Sequence, residues 1–216
     1  MSPDSTHLPH RLSTDTDDGM VLIISGPSGA GKTTITRGVE RSIADAVFSV
    51  SCTTRPKTDA DVDGVDYHFV SDEQFEAMRA KDEFLESAGV YGKKYGTPKA
   101  WVYAQRARGR LVILEIDVQG AILVKKQIPD AYALFILPPD EQTLLARLRS
   151  RKREDESVIQ RRFAAAKSEM EAARASGVYD EFIVNEHIER SIKQATDLVL
   201  SERARRRWGR RSPATT

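Results

Sequence analysis

The chain has 216 residues, of which 40% are hydrophobic and 30% charged, and its formal net charge is +1. This length and composition predict one domain with a real core and exclude a chain that is disordered throughout. The single cysteine, Cys52, excludes an intramolecular disulfide framework and a multi-cysteine zinc site, and the longest apolar runs fall far short of the ~18–20 residues of a membrane span.

Both ends of the chain depart from its balanced charge. Residues 1–18 carry four Asp and one Arg without apolar periodicity, so we predict a flexible N-terminal tail. Residues 203–216 carry six Arg, and we predict a solvated basic C-terminal tail that binds no nucleic acid. The start of the chain lacks the basic end and the apolar stretch of a signal peptide, so we expect a cytoplasmic protein with no membrane partner.

Strands and helices alternate along most of the remaining sequence. Residues 20–24 form a continuous apolar run, typical of a buried parallel strand, and a glycine-rich turn and a helix at 32–44 follow. Further strands are predicted at 48–50, 110–116, 132–137 and 181–184, and further helices at 118–128, 140–150, 155–175 and 186–207. This order predicts an α/β fold in which helices flank a parallel sheet.

Residues 52–102 interrupt that alternation. They contain four glycines, two prolines and short alternating segments, which predict an inserted sub-domain of small antiparallel strands with one helix at 72–81. The core of the domain is then expected at 19–51 and 103–202. The highly charged residues 149–156 predict a hinge between two helices.

The glycine-rich turn fits G-x-x-x-x-G-K-[ST] at every fixed position. Glycines let consecutive backbone N–H groups point at a phosphate, and the start of the following helix adds its positive dipole. Lys32 is expected to reach the β- and γ-phosphates, and Thr33 to offer its hydroxyl to Mg²⁺. We therefore predict that a nucleoside triphosphate is bound by Gly26, Pro27, Ser28, Gly29, Ala30, Gly31, Lys32, Thr33 and Thr34.

Glu115 lies at the end of the apolar run 110–116, where a carboxylate is unusual. In one interpretation it holds a water bound to Mg²⁺, as an acidic residue at this place does in phosphate-loop proteins. In the other it has a structural role, capping a neighbouring helix or pairing with an arginine. Both interpretations stay open at this point.

The insertion is rich in residues that bind a phosphate monoester. Arginine, tyrosine and threonine supply the hydrogen-bond donors, and arginine can donate two parallel bonds. Arg55, Tyr67, Tyr95 and Thr97 are of these types, and each by itself would be an ordinary surface residue. Their concentration beside a triphosphate loop favours a second phosphate site.

Across residues 20–202 the chain resembles the guanylate kinase family. The resemblance rests on ordered motifs at family-like spacings: 26–34, 51–55, 62–70, 83–86, 95–98, 116–121, 135–139 and 183–185. It implies a P-loop NTPase-type parallel sheet flanked by helices, with an inserted small mixed α/β GMP-binding sub-domain and a helical lid at about 149–162. It also implies transfer of the γ-phosphoryl group of ATP, with Mg²⁺, to GMP and also to dGMP.

The resemblance assigns roles to individual residues of the insertion. It implies that the GMP phosphate is held by Arg55, Tyr67 and Tyr95, and that guanine is faced by Ser51, Glu86, Thr97 and Asp117. Guanine offers N1–H and its 2-amino group to a carboxylate, whereas adenine would turn an acceptor towards it. Polar sites of this kind discriminate between ligands by ~10⁴–10⁵.

Further roles are implied for the second half of the chain. The resemblance makes Arg147, Arg151 and Arg162 lid arginines that close over the triphosphate and neutralise the transferring phosphoryl group, and it places Asn185 near adenine. Without the resemblance, the arginines would be interpreted as a solvated charged surface.

The chain departs from the family pattern at several positions. Thr58 stands where members have a second phosphate-binding arginine, and Ser87 where an aromatic residue is common. Lys152 and Arg153 replace small residues of the lid. Because Lys57 offers only a point charge one step away, we predict a weakened site for the GMP phosphate.

The implied mechanism is direct in-line attack by a phosphate oxygen of GMP on the γ-phosphorus of ATP, without a general base. Two alternatives are a kinase of another small phosphate acceptor, such as ribose bisphosphate, and a non-catalytic phosphopeptide-binding module of similar fold. Glu86, Thr97 and Asp117 argue against the first, and Lys32 and Thr33 against the second. We expect a monomer or a homodimer whose partners are ATP and GMP or dGMP.

Overall fold

The architecture was taken from a computed structural model in which residues 18–90, 92–150 and 155–211 are described. In chain order its elements are β1 (Met20–Ser25), α1 (Lys32–Ser42), β2 (Ala46–Phe48), β3 (Cys52–Thr53), β4 (His68–Phe69), α2 (Asp72–Ala80), β5 (Phe84–Val90), β6 (Lys93–Pro98), α3 (Lys99–Ala107), β7 (Leu111–Glu115), α4 (Val118–Gln127), β8 (Tyr132–Leu137), α5 (Glu141–Arg149), α6 (Glu156–Ser176), β9 (Glu181–Val184) and α7 (Ile188–Arg211). Most of the predicted N-terminal tail, residues 151–154 of the predicted hinge (Arg151, Lys152 and Arg153 among them), and the last residues of the predicted basic tail lie outside the described residues.

A five-stranded sheet in the order β2-β7-β1-β8-β9 forms the centre of the molecule, and all its pairs are parallel. Every residue of β1 is buried, because β1 lies in the middle of the sheet and is covered on both faces. Its side chains alternate: Val21 and Ile23 join one core cluster, and Leu22 and Ile24 join the other. The predicted α/β fold is confirmed.

Helices cover the two faces of this sheet. On the face of Leu22, α1 and α7 contribute buried side chains, among them Ile35 and Val199. On the opposite face α4 contributes Ala121 and Val124. Burial of apolar area on both faces stabilises the sheet at about 25 cal/mol per Å². This arrangement leaves the carboxyl ends of the strands, where β1 runs into the glycine-rich turn, free to form a site.

The insertion forms a second, four-stranded sheet in the order β4-β3-β6-β5. The β5–β6 and β3–β6 pairs are antiparallel, but β3 and β4 are parallel, with Cys52 opposite His68. Our prediction of an antiparallel insertion is therefore wrong for that pair. The long connection at 54–67 explains the difference, because parallel neighbours need a crossover of about a dozen residues or more.

Helix boundaries in the insertion also differ from the prediction. The helix predicted at 72–81 is α2, which begins with a capping box between Ser71 and Gln74. The helix α3 was not predicted, and it crosses the boundary that we placed after residue 102. Only Val102 of α3 is buried, so the helix has little core of its own to mark it.

The C-terminal helix continues past the boundary that we placed at residue 202. Arg203 is 7% exposed and donates to both carboxylate oxygens of Asp45, at 2.8 and 2.6 Å. Arg205 and Arg206 both pair with Glu202. Arg206 is 17% exposed and also donates to the backbone oxygen of Asp130 at 2.6 Å, whereas Arg205 is 75% exposed. The prediction of a solvated tail is thus wrong for Arg203 and Arg206, which hold α7 against the fold. Among the described residues no helix is long and apolar enough to cross a membrane.

Candidate active site

The glycine-rich turn between β1 and α1 has the backbone conformation of a phosphate loop. Gly26, Gly29 and Gly31 have φ angles of 154°, 89° and 87°, which residues with a side chain rarely adopt. A Cβ atom at Gly26 would lie 2.5 Å from the carbonyl oxygen of Ile136. No described side chain caps α1, so its first N–H groups remain available to an anion.

Lys32, Thr33 and Glu115 meet at the start of α1. The Thr33 hydroxyl donates to Glu115 Oε1 at 2.7 Å, and Lys32 Nζ lies 3.3 Å from the same oxygen. The parallel pairing of β1 and β7, with Ile24 opposite Glu115, brings the carboxylate to the loop. Glu115 therefore pairs with a lysine of the loop, and not with an arginine as one structural interpretation held.

Mg²⁺ binds hydroxyl and carboxylate oxygens. A protein usually supplies only one or two of these ligands, and water and phosphate oxygens supply the rest. Thr33 Oγ1 and Glu115 fit that role by chemistry and by distance. The described residues contain no cluster of three or more His, Cys, Asp or Glu side chains that could hold a metal ion without ligands from a nucleotide. These two residues thus suit a cation that arrives with a nucleotide.

Two of the three predicted lid arginines contact the loop region. Arg162 donates to the hydroxyl of Ser28, and Arg147 Nη2 donates to the backbone oxygen of Asn185 at 3.0 Å. Arg147 Nη1 is buried without a hydrogen-bond partner. A cavity of about 420 Å³ lies beside it, lined by Gly29, Gly31, Arg147, Asn185, Glu186, His187, Ile188 and Glu189. The unsatisfied donor suits an anionic group entering the cavity.

Asn185 holds the phosphate loop with its side chain. It is 3% exposed; its Nδ2 donates to the backbone oxygen of Ala30 at 2.7 Å, and its Oδ1 accepts from the Ser191 hydroxyl at 3.2 Å. A Cβ atom at Gly31 would overlap Nδ2. Asn185 lines the cavity near which we placed adenine, but both ends of its amide are engaged within the protein.

The predicted residues of the second phosphate site come together in the insertion. The Arg55 guanidinium lies 5.2 Å from the ring centroid of Tyr67, and the rings of Tyr67 and Tyr95 are 5.7 Å apart. The pairing of β3 with β6 places Tyr95 opposite Thr53, two residues before Arg55. Arg55 also forms an ion pair with Asp61, a residue that the sequence did not single out.

A buried carboxylate lies at the other end of the same sheet. Glu86 is 8% exposed and its Oε1 accepts from the Thr97 hydroxyl at 2.5 Å. Burial raises the pKa of Glu86 to about 7; the Thr97 hydrogen bond opposes this shift, and the nearby charge of Asp117 adds to it. Burial of a carboxylate with a single hydrogen-bond donor destabilises the folded protein. A ligand that supplies two more donors would offset this free energy when it binds.

Asp117 and Ser51 border this carboxylate. Asp117 is the N-cap of α4 and accepts from the backbone N–H of Gly120 at 2.8 Å. A Cβ atom at Gly120 would lie 3.2 Å from Glu86 Oε2, so the start of α4 closely approaches Glu86. Ser51 directly precedes β3, whose first residue, Cys52, pairs with Gly96, the residue before Thr97.

Glu169 of α6 is a further ionisable group of the cleft that the sequence analysis missed. Burial raises its pKa to about 7, the positive charge of Lys32 lowers it, and the charge of Asp117 raises it. The only sequence signal is its position three residues after the buried Ala166, on the inner side of the helix. The cleft between the loop and the insertion therefore contains one more carboxyl group than predicted.

Comparison with known proteins identifies relatives across most of the described fold. The family model described as Guanylate kinase matches residues 18–202. A guanylate kinase of Myxococcus xanthus is 43% identical over 188 residues, which cover 87% of this chain and 89% of the relative. A guanylate kinase of Symbiobacterium thermophilum is 42% identical over 187 residues, 87% of each chain. The crystal structure of guanylate kinase from Anaplasma phagocytophilum superposes with a TM-score of 0.69 at 29% identity, covering 86% of both chains.

Proposed function

Because this chain belongs to the guanylate kinase family, we propose that the cleft between its phosphate loop and its inserted sheet transfers the γ-phosphoryl group of ATP to GMP, giving ADP and GDP. The chain is an ATP:GMP phosphotransferase, and the alternatives of another phosphate acceptor and of a non-catalytic module are not favoured. The observation that carries the assignment in this structure is Glu86, a buried carboxylate beside a hydroxyl, which suits the N1–H and 2-amino group of guanine.

We place GMP along the inserted sheet. Its base lies against Glu86 and Thr97, with Ser51 and Asp117 at the edges, and its phosphate lies at the cluster of Arg55, Tyr67 and Tyr95. The contacts within each cluster support this placement, because a carboxylate beside a hydroxyl suits the edge of guanine and an arginine beside two tyrosines suits a phosphate. The arrangement predicts that dGMP is also accepted, since the contacts assigned here involve only base and phosphate.

We place ATP on the phosphate loop, with its β- and γ-phosphates at the N–H groups of Gly29, Gly31 and Lys32. Lys32 neutralises the γ-phosphate, and the loop residues Pro27, Ala30 and Thr34 complete the cradle. Arg147 and Arg162 stabilise the charge of the transferring group; the buried, unpartnered Nη1 of Arg147 supports this role. Arg151 has the same proposed role but lies outside the described residues.

Mg²⁺ is the proposed cofactor, and when bound it would neutralise charge on the β- and γ-phosphates. Thr33 is the proposed direct ligand, and Glu115 the proposed acceptor from a metal-bound water. The contact of Glu115 with Lys32 also orients the lysine at the start of α1.

The chemistry requires positioning more than proton transfer. A phosphate oxygen of GMP attacks the γ-phosphorus; the bond to this oxygen forms as the bond from phosphorus to the β–γ bridging oxygen breaks, and ADP leaves. With a second pKa of about 6, the GMP phosphate is mostly ionised at neutral pH, so no general base is needed. Closure of the insertion and the lid would exclude water, which would otherwise compete as acceptor.

The experiment that tests this function measures ADP release with ATP and Mg²⁺ and different acceptors. We expect turnover with GMP and dGMP, and kcat/KM at least ~10³-fold lower with AMP, UMP or ribose bisphosphate. Adenine would turn an acceptor towards the buried carboxylate of Glu86, uracil offers it one donor flanked by two acceptors, and ribose bisphosphate offers no base. Turnover with only a non-guanine acceptor would disprove the assignment of the base site. Tight GMP binding without turnover would favour the binding module.

The pKa of Glu86 predicts a pH dependence of GMP recognition. Because the pKa of the free protein is about 7, the carboxyl is protonated below pH 7 and ionised above it. A protonated carboxyl presents a donor to the donors of guanine, so KM for GMP is expected to rise as the pH falls through about 7. Steady-state kinetics from pH 5.5 to 9 measure this. In Glu86→Gln only the ionisation of the GMP phosphate, at about 6, should remain; an unchanged profile in that variant would contradict the prediction.

The cellular location and the oligomeric state stay predictions: a cytoplasmic protein, acting as a monomer or a homodimer without a nucleic-acid partner. Size-exclusion chromatography with light scattering would measure the second of these.

A further inference from the structure

Arg55, the arginine assigned to the acceptor phosphate, is already bound by a carboxylate of the same loop. Its Nη1 donates to Asp61 Oδ2 at 2.9 Å, and its Nη2 donates to Asp61 Oδ1 at 2.7 Å. This is the bidentate geometry in which arginine also binds phosphate. The two side chains are only 27% and 14% exposed, so water has limited access to the pair.

Asp61 is held in that position by a second residue. The backbone N–H and the hydroxyl of Thr58 both donate to Asp61 Oδ2, each at 2.7 Å. These hydrogen bonds, together with the guanidinium of Arg55, hold the pKa of Asp61 well below its usual range. Asp61 is therefore an anion at every pH at which the protein would work.

The Asp61 pair and one further contact use most donors at the end of the Arg55 side chain. Nη1 of Arg55 also donates to the backbone oxygen of Pro56 at 3.1 Å, so both N–H groups of Nη1 and one of Nη2 are engaged. The charges of Arg55 and Asp61 cancel, whereas the phosphate of a nucleoside monophosphate carries about −1.5 to −2 charges at pH 7. A dianion that approaches Tyr67 and Tyr95 thus meets a neutral pair and a nearby carboxylate, which repels it.

We propose that Asp61 is an internal competitor of the acceptor phosphate for Arg55, so that this residue sets the affinity for GMP. The proposal rests on the function proposed above. The phosphate takes the terminal nitrogens of Arg55 only when Asp61 releases them, and Thr58 retains the released carboxylate through its two hydrogen bonds. Binding is then an exchange of one anion for another on a single guanidinium, and only a ligand with a doubly charged phosphate displaces Asp61 efficiently.

Asp61→Asn tests this exchange, because asparagine keeps an oxygen for Thr58 but loses the competing charge. We expect KM for GMP to fall about 3- to 10-fold. This is the size of effect expected when one partly exposed negative charge is removed a few Å from a bound dianion. The inhibition constant of guanosine, which has no phosphate, should stay the same. Asp59→Asn is the matched control: it makes the same charge change on an exposed residue of the same loop and should leave both values unaltered.

Thr58→Val is the second variant and protects the test if Asp61→Asn folds poorly. It removes the hydroxyl that retains the released carboxylate, so Asp61 should return to Arg55 more readily and KM for GMP should rise. In the double variant Thr58→Val/Asp61→Asn this rise should disappear, because no competing charge is left.

An unchanged or raised KM for GMP in Asp61→Asn, with an unaltered control, would overturn the proposal and make Asp61 a residue that only positions Arg55. A fall in the inhibition constant of guanosine by the same factor would also overturn it, since the effect would then not involve the phosphate. Turnover of GMP by the unaltered protein is measured in the same assay, so a failure of the proposed function is recognised separately.

Discussion

Replacing Lys32 with alanine is expected to lower kcat for phosphoryl transfer by about 10³-fold or more, with a much smaller effect on KM for GMP. The ammonium of Lys32 is a positive charge at the start of α1, 3.3 Å from Glu115, and we have proposed that it faces the place where charge develops on the transferring group. Stabilisation of that charge in a closed site is worth several kcal/mol, which corresponds to this loss of rate. Initial rates of ADP release at saturating GMP measure it.

Lys193→Ala provides the matched control for this prediction. Lys193 lies on α7, is largely exposed and pairs with Asp197 four residues on, so its removal should leave kcat within twofold. A circular dichroism spectrum and a thermal melt of Lys32→Ala establish that the fold is kept. A kcat within tenfold of the unaltered protein would show that Lys32 is not the charge on which transfer depends.

Replacing Glu86 with glutamine is expected to lower kcat/KM for GMP by about 10²–10⁴-fold. The glutamine has the same shape and can still accept from Thr97, but its amide N–H₂ would face the N1–H and 2-amino donors of guanine. Two charge-assisted hydrogen bonds are lost in a buried site, at ~1.5–3 kcal/mol each. KM for ATP should change little, because the phosphate loop does not contact Glu86.

The control for this variant is Glu83→Gln, which makes the same chemical change three residues earlier, at an exposed position. It should leave kcat/KM for GMP unaltered. Binding of GMP by calorimetry in the absence of ATP separates recognition from chemistry. A loss of kcat with unaltered GMP binding would contradict the role of Glu86 as the reader of guanine.

Several parts of the protein were predictable from local sequence. The buried strand β1 follows from an unbroken apolar run, and the phosphate loop from three glycines, Lys32 and Thr33 in fixed order. The family, the α/β fold and the activity were recognised from ordered motifs alone, and the comparisons confirm them. The assigned site residues stay predictions, although the structure brings Glu86 beside Thr97, and Arg55 beside Tyr67.

Other parts depended on contacts that local sequence does not encode. Asn185 was placed near adenine, but its amide is used by Ala30 and Ser191, which come from distant elements. Arg203 looked like part of a solvated tail until Asp45 was found to bind it. The parallel pairing of β3 with β4 depends on the path of the long loop that connects them. Strands of two residues are too short to show an alternation of apolar and polar residues in the sequence.

The sequence by itself thus determined most strands and helices and the phosphate loop, because backbone geometry and hydrophobic periodicity are local properties. The identity of the reaction followed from the resemblance of the ordered motifs to those of a known family. The tertiary structure alone decided which polar group meets which: Glu115 with Lys32, Asp61 with Arg55, Asp117 near Glu86. Hydrogen bonds and ion pairs act over a few Å, and only packing of the whole chain sets those distances. The predictions made here for the affinity and the pH dependence of the site rest on these distances.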